Sequence, residues 1–588
     1  MPADTGGNRG AGLLRPHGPA LAAALRNPAL LGLPALVFVG AFALWPLAQF
    51  LFESLRNGPS FDLIQFERLW SSGSFWVVLS RTLTVAGTVT LICCLLGYPM
   101  AYALTRSRGT LRTVLIGLIA LPYLTSVIVR TYAWAAILSL EGPVNRALVG
   151  LGLVDEPLLL GHSDFGTLIG MTHILLPIAI LTLWSGIEKI DPMQRTAAAS
   201  LGASKSESFL TVYLPQSLPA LGSAAVLVYI LSLGAYVIPA TLGGTRGLLF
   251  AQLVVQQATT LLNWNLAAAM AVVMLVAAAI PALLLALLGR LARLGRADRA
   301  IGRRQYLLSR VQPALDRLPD ALWTRGWQVL AGLVLAFLLL PELVVIVFSF
   351  GPERQITFPP AHWTLSGYAS TLSDPSWTGP LRRSGIYAAA DAVIATALGA
   401  LAAYGFARGR ASVARIGTVL LVIPVVLPEI VIAIAYFVFA NRWGLTGSAW
   451  GIILGQGAMA VGLVAVIMGT IVRQLDVNLE HAAQMCGASR LRVIRDIVLP
   501  LIAPGLVVGF IYGFLNAFDN LVLPLFIAGT RDTVPVRMFL SLQEELTSAP
   551  AVIASILIAV LAVGLAIGLL IARRSGLVNM IPGAKETP

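Results

Sequence analysis

The chain has 588 residues, of which 57% are hydrophobic and only 11% are charged. About a quarter of the residues in a soluble globular protein are charged, so this composition excludes a soluble protein and predicts an integral membrane protein. The net charge of +13 does not indicate nucleic-acid binding, because the basic residues lie in loops between apolar runs and no nucleic-acid-reading motif accompanies them.

Runs of about 20 apolar residues are long enough to cross the hydrocarbon core of a bilayer as helices. In chain order they predict about twelve spans, at 29–52, 76–104, 112–140, 165–187, 217–240, 266–289, 327–350, 385–407, 413–440, 448–472, 501–528 and 551–572. The fold class is therefore an all-α membrane protein. The first run has no cleavage-site pattern and is expected to be a retained anchor.

The chain is internally duplicated. GYPMAYALTRSRG (97–109) resembles GALAAYGFARGRA (399–411), and Pro122 and Pro424 keep the same separation as Tyr102 and Tyr404. Two homologous six-helix halves are expected. The predicted domains are an N-terminal segment (1–28), a first half (29–292), a basic linker (293–326), a second half (327–575) and a tail (576–588).

Most of the 40 Lys and Arg residues fall in alternate loops. The positive-inside rule then places both termini, the basic linker and two repeated loops on the cytoplasmic side. The linker is expected to lie against anionic lipid headgroups, so membrane lipid is one expected partner.

The two repeated loops are TAAASLGASKSESFLTVYLPQSLP (196–219) and EHAAQMCGASRLRVIRDIVLPLIAP (480–504). They share Ala-Ala, Gly-Ala-Ser and Leu-Pro, which predicts a short helix, a sharp turn at glycine and a second short helix leading into a span. Such a segment suits either the transmission of motion from a soluble partner or a duplicated surface loop without that role. The candidate coupling residues are Thr196, Ala197, Ala198, Gly202, Pro215, Glu480, His481, Ala482, Ala483, Gly487 and Pro500.

Ionisable residues inside predicted spans are costly and therefore become site hypotheses. The acids are Glu342, Asp391, Glu429 and Asp519. The candidate substrate pathway combines Glu429, Asp519 and Asp391, as ligands for a cationic solute, with four aromatic residues for cation–π contact: Tyr132, Trp134, Tyr236 and Tyr436. Arg130 could instead pair with an acid and make some of these charges structural.

No lysine follows a glycine, so the phosphate-binding pattern GxxxxGK[ST] is missing from the sequence. We expect no ATPase site, no catalytic residue, no metal site and no cofactor in this chain. His173 is expected to be a packing residue rather than a ligand.

The repeated loops resemble the EAA motif of the permeases of ABC importers, although Thr196 and His481 stand where the motif has glutamate, and Glu480 adjoins His481. The resemblance implies a type I ABC importer permease fold in a bacterial inner membrane. It also implies two copies of a cytoplasmic ATPase that bind ATP and Mg, and an external solute-binding protein.

Further segments, such as LPYLTSVIVRTYAW and FDNLVLPLFIAG, resemble the two permeases of spermidine/putrescine importers, here fused in one chain. The resemblance implies import of a polyamine or a related small cation. Other cargoes of related permeases stay open: opines, aminoalkylphosphonates, ferric ion and thiamine. From other classes, a gradient-driven secondary transporter and a membrane scaffold without transport activity also stay open.

Overall fold

The computed structural model is almost entirely helical and describes residues 27–57, 60–244, 247–294, 320–352, 358–360, 362–544 and 547–574. The predicted terminal segments and most of the basic linker lie outside these residues. Helices dominate because hydrocarbon offers no partner for backbone N–H and C=O groups, so each span must satisfy them internally.

In the first sequence half, a 3₁₀ turn (Pro28–Gly32) and a π segment (Gly40–Leu44) flank α1, and the strands Arg56–Asn57 (β1) and Ser60–Phe61 (β2) form a small antiparallel hairpin. The helices are α1 Leu33–Val39, α2 Trp45–Glu53, α3 Ile64–Ser71, α4 Gly73–Arg106, α5 Gly109–Leu124, α6 Val127–Ile137, α7 Pro143–Gly150, α8 Asp164–Ile187, α9 Met193–Ser200, α10 Lys205–Ser208, α11 Leu214–Leu233, α12 Val237–Leu242, α13 Phe250–Val255 and α14 Trp264–Leu294.

The second half follows a similar order, without a counterpart to the hairpin or α7 among the described residues. Its helices are α15 Asp320–Phe348, α16 Ser366–Ser373, α17 Pro375–Arg408, α18 Ala411–Val426, α19 Glu429–Arg442, α20 Ala449–Gln474, α21 Val477–Met485, α22 Arg490–Val493, α23 Leu499–Asp519, α24 Val522–Ile527, α25 Val534–Glu544 and α26 Ser548–Arg574.

Within the described residues, nine helices are long and apolar enough to cross a membrane, and two interrupted helix pairs could add two more spans. Each of the twelve predicted spans overlaps a helix, the last one α26. Four of the predicted spans, 112–140, 217–240, 413–440 and 501–528, are interrupted instead of forming continuous helices. Between α5 and α6 the chain bends by 88°, because Thr125 and Ser126 have extended backbone. The equivalent span, 413–440, is interrupted before Glu429, where Pro428 disfavours helical geometry at Leu427.

The structure divides into two compact units: residues 1–46, 385–426 and 449–518 form one, and residues 47–384, 427–448 and 519–588 form the other. In the first unit, Ala35 and Val39 pack with Ala402, Val461 and other small residues of α17 and α20. Small side chains allow spanning helices to approach closely. At Gly462, an added Cβ would collide with the backbone carbonyl of Leu421, so only glycine fits there.

The second unit has an aromatic core. Tyr98, Tyr102, Phe209 and Tyr213 are buried together, and Trp327 of α15 packs against them. The compact units therefore differ from the sequence halves. The first helix of each half packs with helices of the other half.

Candidate functional sites

Both repeated loops fold into the same helix–turn–helix, as the sequence pattern predicts. In the first loop α9 is followed by α10, and in the second loop α21 is followed by α22. A five-residue π segment then joins each loop to a long helix, at Phe209–Tyr213 and Ile494–Val498. A continuous helical connection of this kind can transmit a displacement of the loop to the spanning helix.

The shared Gly-Ala-Ser signature forms the turn. Gly202 and Gly487 have φ values of +88° and +84°, in the left-handed region that favours glycine. The N–H of the following alanine donates to the carbonyl five residues earlier, at 3.0 Å in both loops: Ala203 to Ala198 and Ala488 to Ala483. This is the Schellman arrangement that satisfies the last carbonyls of a helix.

The remaining signature residues begin the next helices. Ser204 accepts the backbone N–H of Glu207 at 3.1 Å, and Ser489 accepts that of Arg492 at 3.4 Å. Both serines are N-caps. Pro215 is the second residue of α11, directly after the first π segment, and Pro500 has the same place in α23. The signature therefore specifies one backbone geometry twice.

Each loop exposes a large apolar side chain at the turn. Leu201 and Met485 are both 89% exposed. Beside them, Thr196, Ala197, His481 and Ala482 are exposed, whereas Ala198 and Ala483 are half-buried. Each loop thus presents one exposed apolar side chain at its turn.

Glu480 faces inward, away from that surface. It is 6% exposed, and its carboxylate accepts the hydroxyl of Tyr404 at 2.8 Å and Nε of Arg408 at 2.9 Å. Nη2 of Arg408 lies 2.7 Å from the same carboxylate and also donates to the carbonyl of Leu475. Glu480 thus ties α21 to the end of α17.

The first loop lacks this ion pair. Tyr102 and Arg106 occupy the positions of Tyr404 and Arg408, but Arg195 stands where Glu480 is. Arg106 donates to the hydroxyl of Tyr102 at 2.6 Å. Instead, Glu188, just after α8, accepts Arg112 at 2.7 Å and the indole N–H of Trp184 at 3.1 Å. The two loops have the same backbone conformation, but different side-chain contacts attach them to the spanning helices.

The second group of candidate residues lies where spanning helices are interrupted. Four breaks lie in the second unit, at residues 125–126, 234–236, 427–428 and 519–521, and each contains at least one half-buried residue. Non-helical backbone at membrane depth is tolerated where it is buried in protein or lines a water-filled cavity. Half-buried side chains at all four breaks favour a cavity.

Asp519 caps a helix across the repeat. Its Oδ1 accepts the backbone N–H of Val127 at 3.0 Å, and Val127 is the first residue of α6. A carboxylate at a helix N-terminus satisfies an unpaired N–H and interacts favourably with the helix dipole. Asp519 therefore has a structural role, and it remains half-buried.

Glu429, the first residue of α19, accepts the side-chain amide of Asn520 at 2.8 Å. Asn520 is itself held in place, because its Oδ1 accepts the N–H of Leu523 at 3.1 Å. No basic side chain among the described residues forms an ion pair with Glu429. Its carboxylate is half-buried and interacts electrostatically with Asp519.

The internal repeat makes this arrangement asymmetric. Gly234 holds the position of Asp519 relative to the repeated loop, and Val127 holds that of Glu429. A Cβ added at Gly234 would lie 3.0 Å from Pro428 Cβ and 3.5 Å from the N atom of Glu429. At these equivalent positions, Asp519 caps the start of α6 with its carboxylate, whereas Gly234 brings its backbone close to the start of α19. Both acids come from the second half.

The predicted aromatic residues divide into two groups. Tyr236 is half-buried at one of the breaks and packs against Phe539. Tyr132, Trp134 and Tyr436 are at most 4% exposed. The hydroxyl of Tyr132 donates to the carbonyl of Thr547, and Trp134 packs against His173. These three side chains belong to the core in this structure, because their faces are covered by neighbouring helices.

The other intramembrane charges are also buried. Asp391 is in the core of the first unit, and neither of its oxygens has a hydrogen-bond partner among the described residues. Arg130 interacts electrostatically with Asp519 and with Glu342, which is 3% exposed. His173 contacts the carbonyl of Leu338 at 3.1 Å, as a packing residue would. The described residues contain no group of His, Cys, Asp and Glu suited to hold a metal ion.

Sequence reasoning missed three contributors to these sites. Asn520 orients Glu429, and Tyr123 is half-buried beside Arg130 and Asp519. Arg408 was noted only as a landmark of the repeat, although its recurrence beside Tyr404 was a usable signal. Tyr123 lies just before the break at residues 125–126, which the residue pattern did not locate.

Comparisons with known proteins agree with the duplicated geometry. The family model described as binding-protein-dependent transport system inner membrane component matches residues 94–294 and 395–575, well over half of the chain. These two segments include both helix–turn–helix loops and all four helix breaks.

The chain is similar to the spermidine/putrescine transport system permease protein PotB of Escherichia coli (strain K12), with 32% identity over 209 residues, 36% of this chain and 76% of that protein. It is also similar to the inner membrane ABC transporter permease protein YdcU of the same organism, with 31% identity over 255 residues, 41% of this chain and 78% of that protein. This chain is about twice as long as PotB.

Among solved structures, one chain of a bacterial ABC transporter involved in the import of the acidic polysaccharide alginate aligns with a TM-score of 0.38 and 17% identity. The alignment covers 46% of this chain and 95% of that one.

Proposed function

We propose a cargo for a chain whose family is settled: it belongs to the binding-protein-dependent transport system inner membrane components and is a permease subunit of an ABC importer. The proposed cargo is a polyamine such as spermidine or putrescine, or a closely related small cation. The observation that carries the proposal is the half-buried carboxylate of Glu429, which lies at a helix break and has no basic partner among the described residues.

A charged group inside a membrane protein is costly unless it is paired or used. Arg130 lies near Asp519 and Glu342 and offsets part of their charge. Glu429 interacts with Asp519, a like charge, and with the neutral amide of Asn520. The surroundings of the breaks therefore carry an excess of negative charge, which an incoming ammonium group neutralises.

The aromatic residues at the breaks support the same cargo. Tyr123 and Tyr236 are half-buried beside the breaks, and Tyr123 lies near Asp519. A ring face attracts a desolvated cation by up to about 2 kcal/mol. A linear polyamine carries several ammonium groups, so alternating carboxylates and rings suit it. The similarity to PotB points to the same chemical class.

The two helix–turn–helix loops are the proposed docking sites for two copies of a cytoplasmic ATPase, which bind ATP and Mg. The support is the identical backbone of the two loops and the exposed Leu201 and Met485. Both termini then lie in the cytoplasm of a bacterium, and a solute-binding protein delivers cargo from the opposite side of the inner membrane. This chain hydrolyses no ATP itself.

The test is uptake of radiolabelled spermidine into proteoliposomes that contain this chain, the ATPase and the binding protein encoded beside it. Uptake is expected with ATP and not with a non-hydrolysable analogue. The matched variant is Glu429→Gln, which keeps the size of the side chain and removes its charge, and we expect it to raise the KM for spermidine while ATPase subunits still co-purify.

Failure would take distinct forms. ATP hydrolysis stimulated by the loaded binding protein without spermidine uptake would reject the polyamine and leave opines, aminoalkylphosphonates, ferric ion or thiamine as the cargo. Uptake driven by an ion gradient without any ATPase would instead indicate secondary transport.

A further inference from the structure

A second polar site lies at the end of two spans, far along the sequence from the helix breaks. A cavity of about 470 Å³ opens between the end of α4, the start of α5 and the start of α15. The candidate span that includes α4 ends at Arg106, and the candidate span within α15 begins at Arg325. The cavity therefore lies where these two helices leave the hydrocarbon, at the level of lipid headgroups.

One end of the cavity is basic. Arg106 and Arg108 line it together with Ser107, and both arginines are exposed. No carboxylate among the described residues lies within ion-pairing distance of either guanidinium. Arg106 is oriented by the hydroxyl of Tyr102, to which it donates at 2.6 Å. Two arginines on one short loop are suited to bind the oxygens of a phosphate.

The opposite wall is apolar and runs along the spans. It is lined by Leu111 and Leu115 of α5 and by Ala331, Gly332 and Leu335 of α15. Leu111 is 59% exposed. Gly332 has no side chain, and an added Cβ would meet nothing within 4 Å, so the wall has a furrow at this position. An acyl chain can pack against such an apolar wall, whereas a free inorganic anion makes no favourable contact with it.

Trp327 lies between the basic and the apolar parts. Its ring packs on Tyr102 at a centroid distance of 5.0 Å. Tryptophan is enriched at the boundary between hydrocarbon and headgroups because its ring is apolar and its N–H is polar. The order of basic, amphipathic and apolar groups along the cavity matches the order of groups in a phospholipid.

The second half of the chain does not repeat this arrangement. Arg408, the equivalent of Arg106, is bound by Glu480 at 2.7 Å and is therefore neutralised within the protein. Arg106 has Arg195 at the corresponding loop position instead of an acid. Arg408 is therefore paired with an acid, whereas its equivalent Arg106 has no acidic partner among the described residues.

We propose that this cavity is a binding site for one anionic phospholipid of the cytoplasmic leaflet, whose phosphate binds Arg106 and Arg108 and whose acyl chain lies along Leu111, Leu115 and Gly332. Arg106 also lines the neighbouring cavity beside Thr196 and Lys205. The bound lipid therefore connects the membrane to the first docking loop, in a role that Glu480 fulfils within the second loop.

The test is native mass spectrometry of the full-length chain, purified in detergent and titrated with dioleoylphosphatidylglycerol or dioleoylphosphatidylcholine. We expect one retained phosphatidylglycerol and no equivalent retention of phosphatidylcholine. The double variant Arg106→Gln, Arg108→Gln should lower the affinity for phosphatidylglycerol by about tenfold or more, since each arginine near an anionic headgroup contributes about 1 kcal/mol. The matched control is Arg410→Gln, the equivalent of Arg108 in the second half, which should retain the lipid.

A second variant tests the apolar wall without changing charge. At Gly332 of α15 and Gly87 of α4, an added Cβ meets no atom within 4 Å. Gly332→Leu places a side chain in the cavity and should also release the lipid, whereas Gly87→Leu, outside the cavity, should not. Equal retention of phosphatidylglycerol in the wild type, the double variant and Gly332→Leu would overturn the proposal. Displacement by inorganic phosphate together with unchanged binding in Gly332→Leu would also overturn it, in favour of a site for a free anion.

Discussion

Glu480 and Arg408 form a buried ion pair, with Nη2 of Arg408 2.7 Å from Oε1 of Glu480. The pair joins the second repeated loop to the end of a spanning helix within one compact unit. Its side chains are 8% and 11% exposed, so removal of one partner leaves the other charge largely desolvated.

Glu480→Ala is expected to destabilise the chain by about 3–5 kcal/mol, the usual cost of an uncompensated buried charge. The thermal unfolding temperature of the purified chain measures this change. In the reconstituted importer, transport per ATP hydrolysed should also fall, because α21 is no longer held to α17. The double variant Glu480→Gln, Arg408→Gln should recover part of the stability. Unchanged unfolding and coupling in Glu480→Ala would show that the pair has no such role.

Gly487 provides a test of backbone geometry that is separate from packing. No atom lies within 4 Å of a Cβ added there, but φ is +84°. Gly487→Ala should cost about 1 kcal/mol, and Gly487→Val more, because a β-branched residue strongly disfavours the left-handed region. Gly487→Asn is the control, since asparagine tolerates this region.

The measurement for this series is co-purification of the ATPase and its stimulation by the loaded binding protein. Both should decline from Gly487 through Asn and Ala to Val, while membrane insertion stays intact. Normal co-purification and stimulation of the ATPase in Gly487→Val would show that the helix–turn–helix is not needed for coupling.

Asp519 and Glu429 should respond differently to neutralisation. Asp519→Asn keeps an oxygen that can accept the N–H of Val127, so stability should change little, whereas Asp519→Leu removes the cap and should cost about 1 kcal/mol or more. Glu429→Gln should leave stability unchanged and weaken transport of a cation. Unfolding temperature and uptake kinetics, measured on the same preparations, separate the two roles. Equal loss of stability in Asp519→Asn and Asp519→Leu would reject the cap.

Gly462 tests the close approach of helices in the first unit. Gly462→Val places methyl groups against the carbonyl of Leu421 and should destabilise the chain by about 1–3 kcal/mol or prevent folding. Gly40→Ala, at a glycine with open space, is the control and should be neutral or slightly stabilising. Fluorescence-detected size-exclusion chromatography after heating compares the two variants. Comparable heat resistance of both would mean that the backbones can separate at little cost.

The positions of most spans and the repeated loops could be predicted from the sequence, because lipid imposes a length on every span and because Gly-Ala-Ser and Leu-Pro encode local backbone geometry. The break beside Val127 was not predicted, since an apolar run looks the same whether its backbone is continuous or turned. Beside Glu429, the helix-breaking Pro428 was a usable signal. The direction of Glu480 was also not predictable. Its adjacent position, His481, is exposed, and only the helix phase decides which of the two meets Arg408.

Similarly, the burial of Tyr132 and Tyr436 depends on which helices cover them, and neither composition nor spacing carries that information. The acids were easier to find because their cost in hydrocarbon makes each one conspicuous. Whether an acid caps a helix, as Asp519 does, or remains available, as Glu429 does, depends on contacts between residues hundreds of positions apart.

The first helix of each half packs with helices of the other half, and this has a consequence for the evolution of the single chain. The helix that contains Trp327 packs with the first half, and the helix that contains Val39 packs with the second. Each half thus contributes its first helix to the interior of the other, and in two separate polypeptides this packing would require an encounter between them. A covalent linkage converts that encounter into an intramolecular event at a high effective concentration. Fusion thus fixes a one-to-one stoichiometry and prevents either half from pairing with a copy of itself.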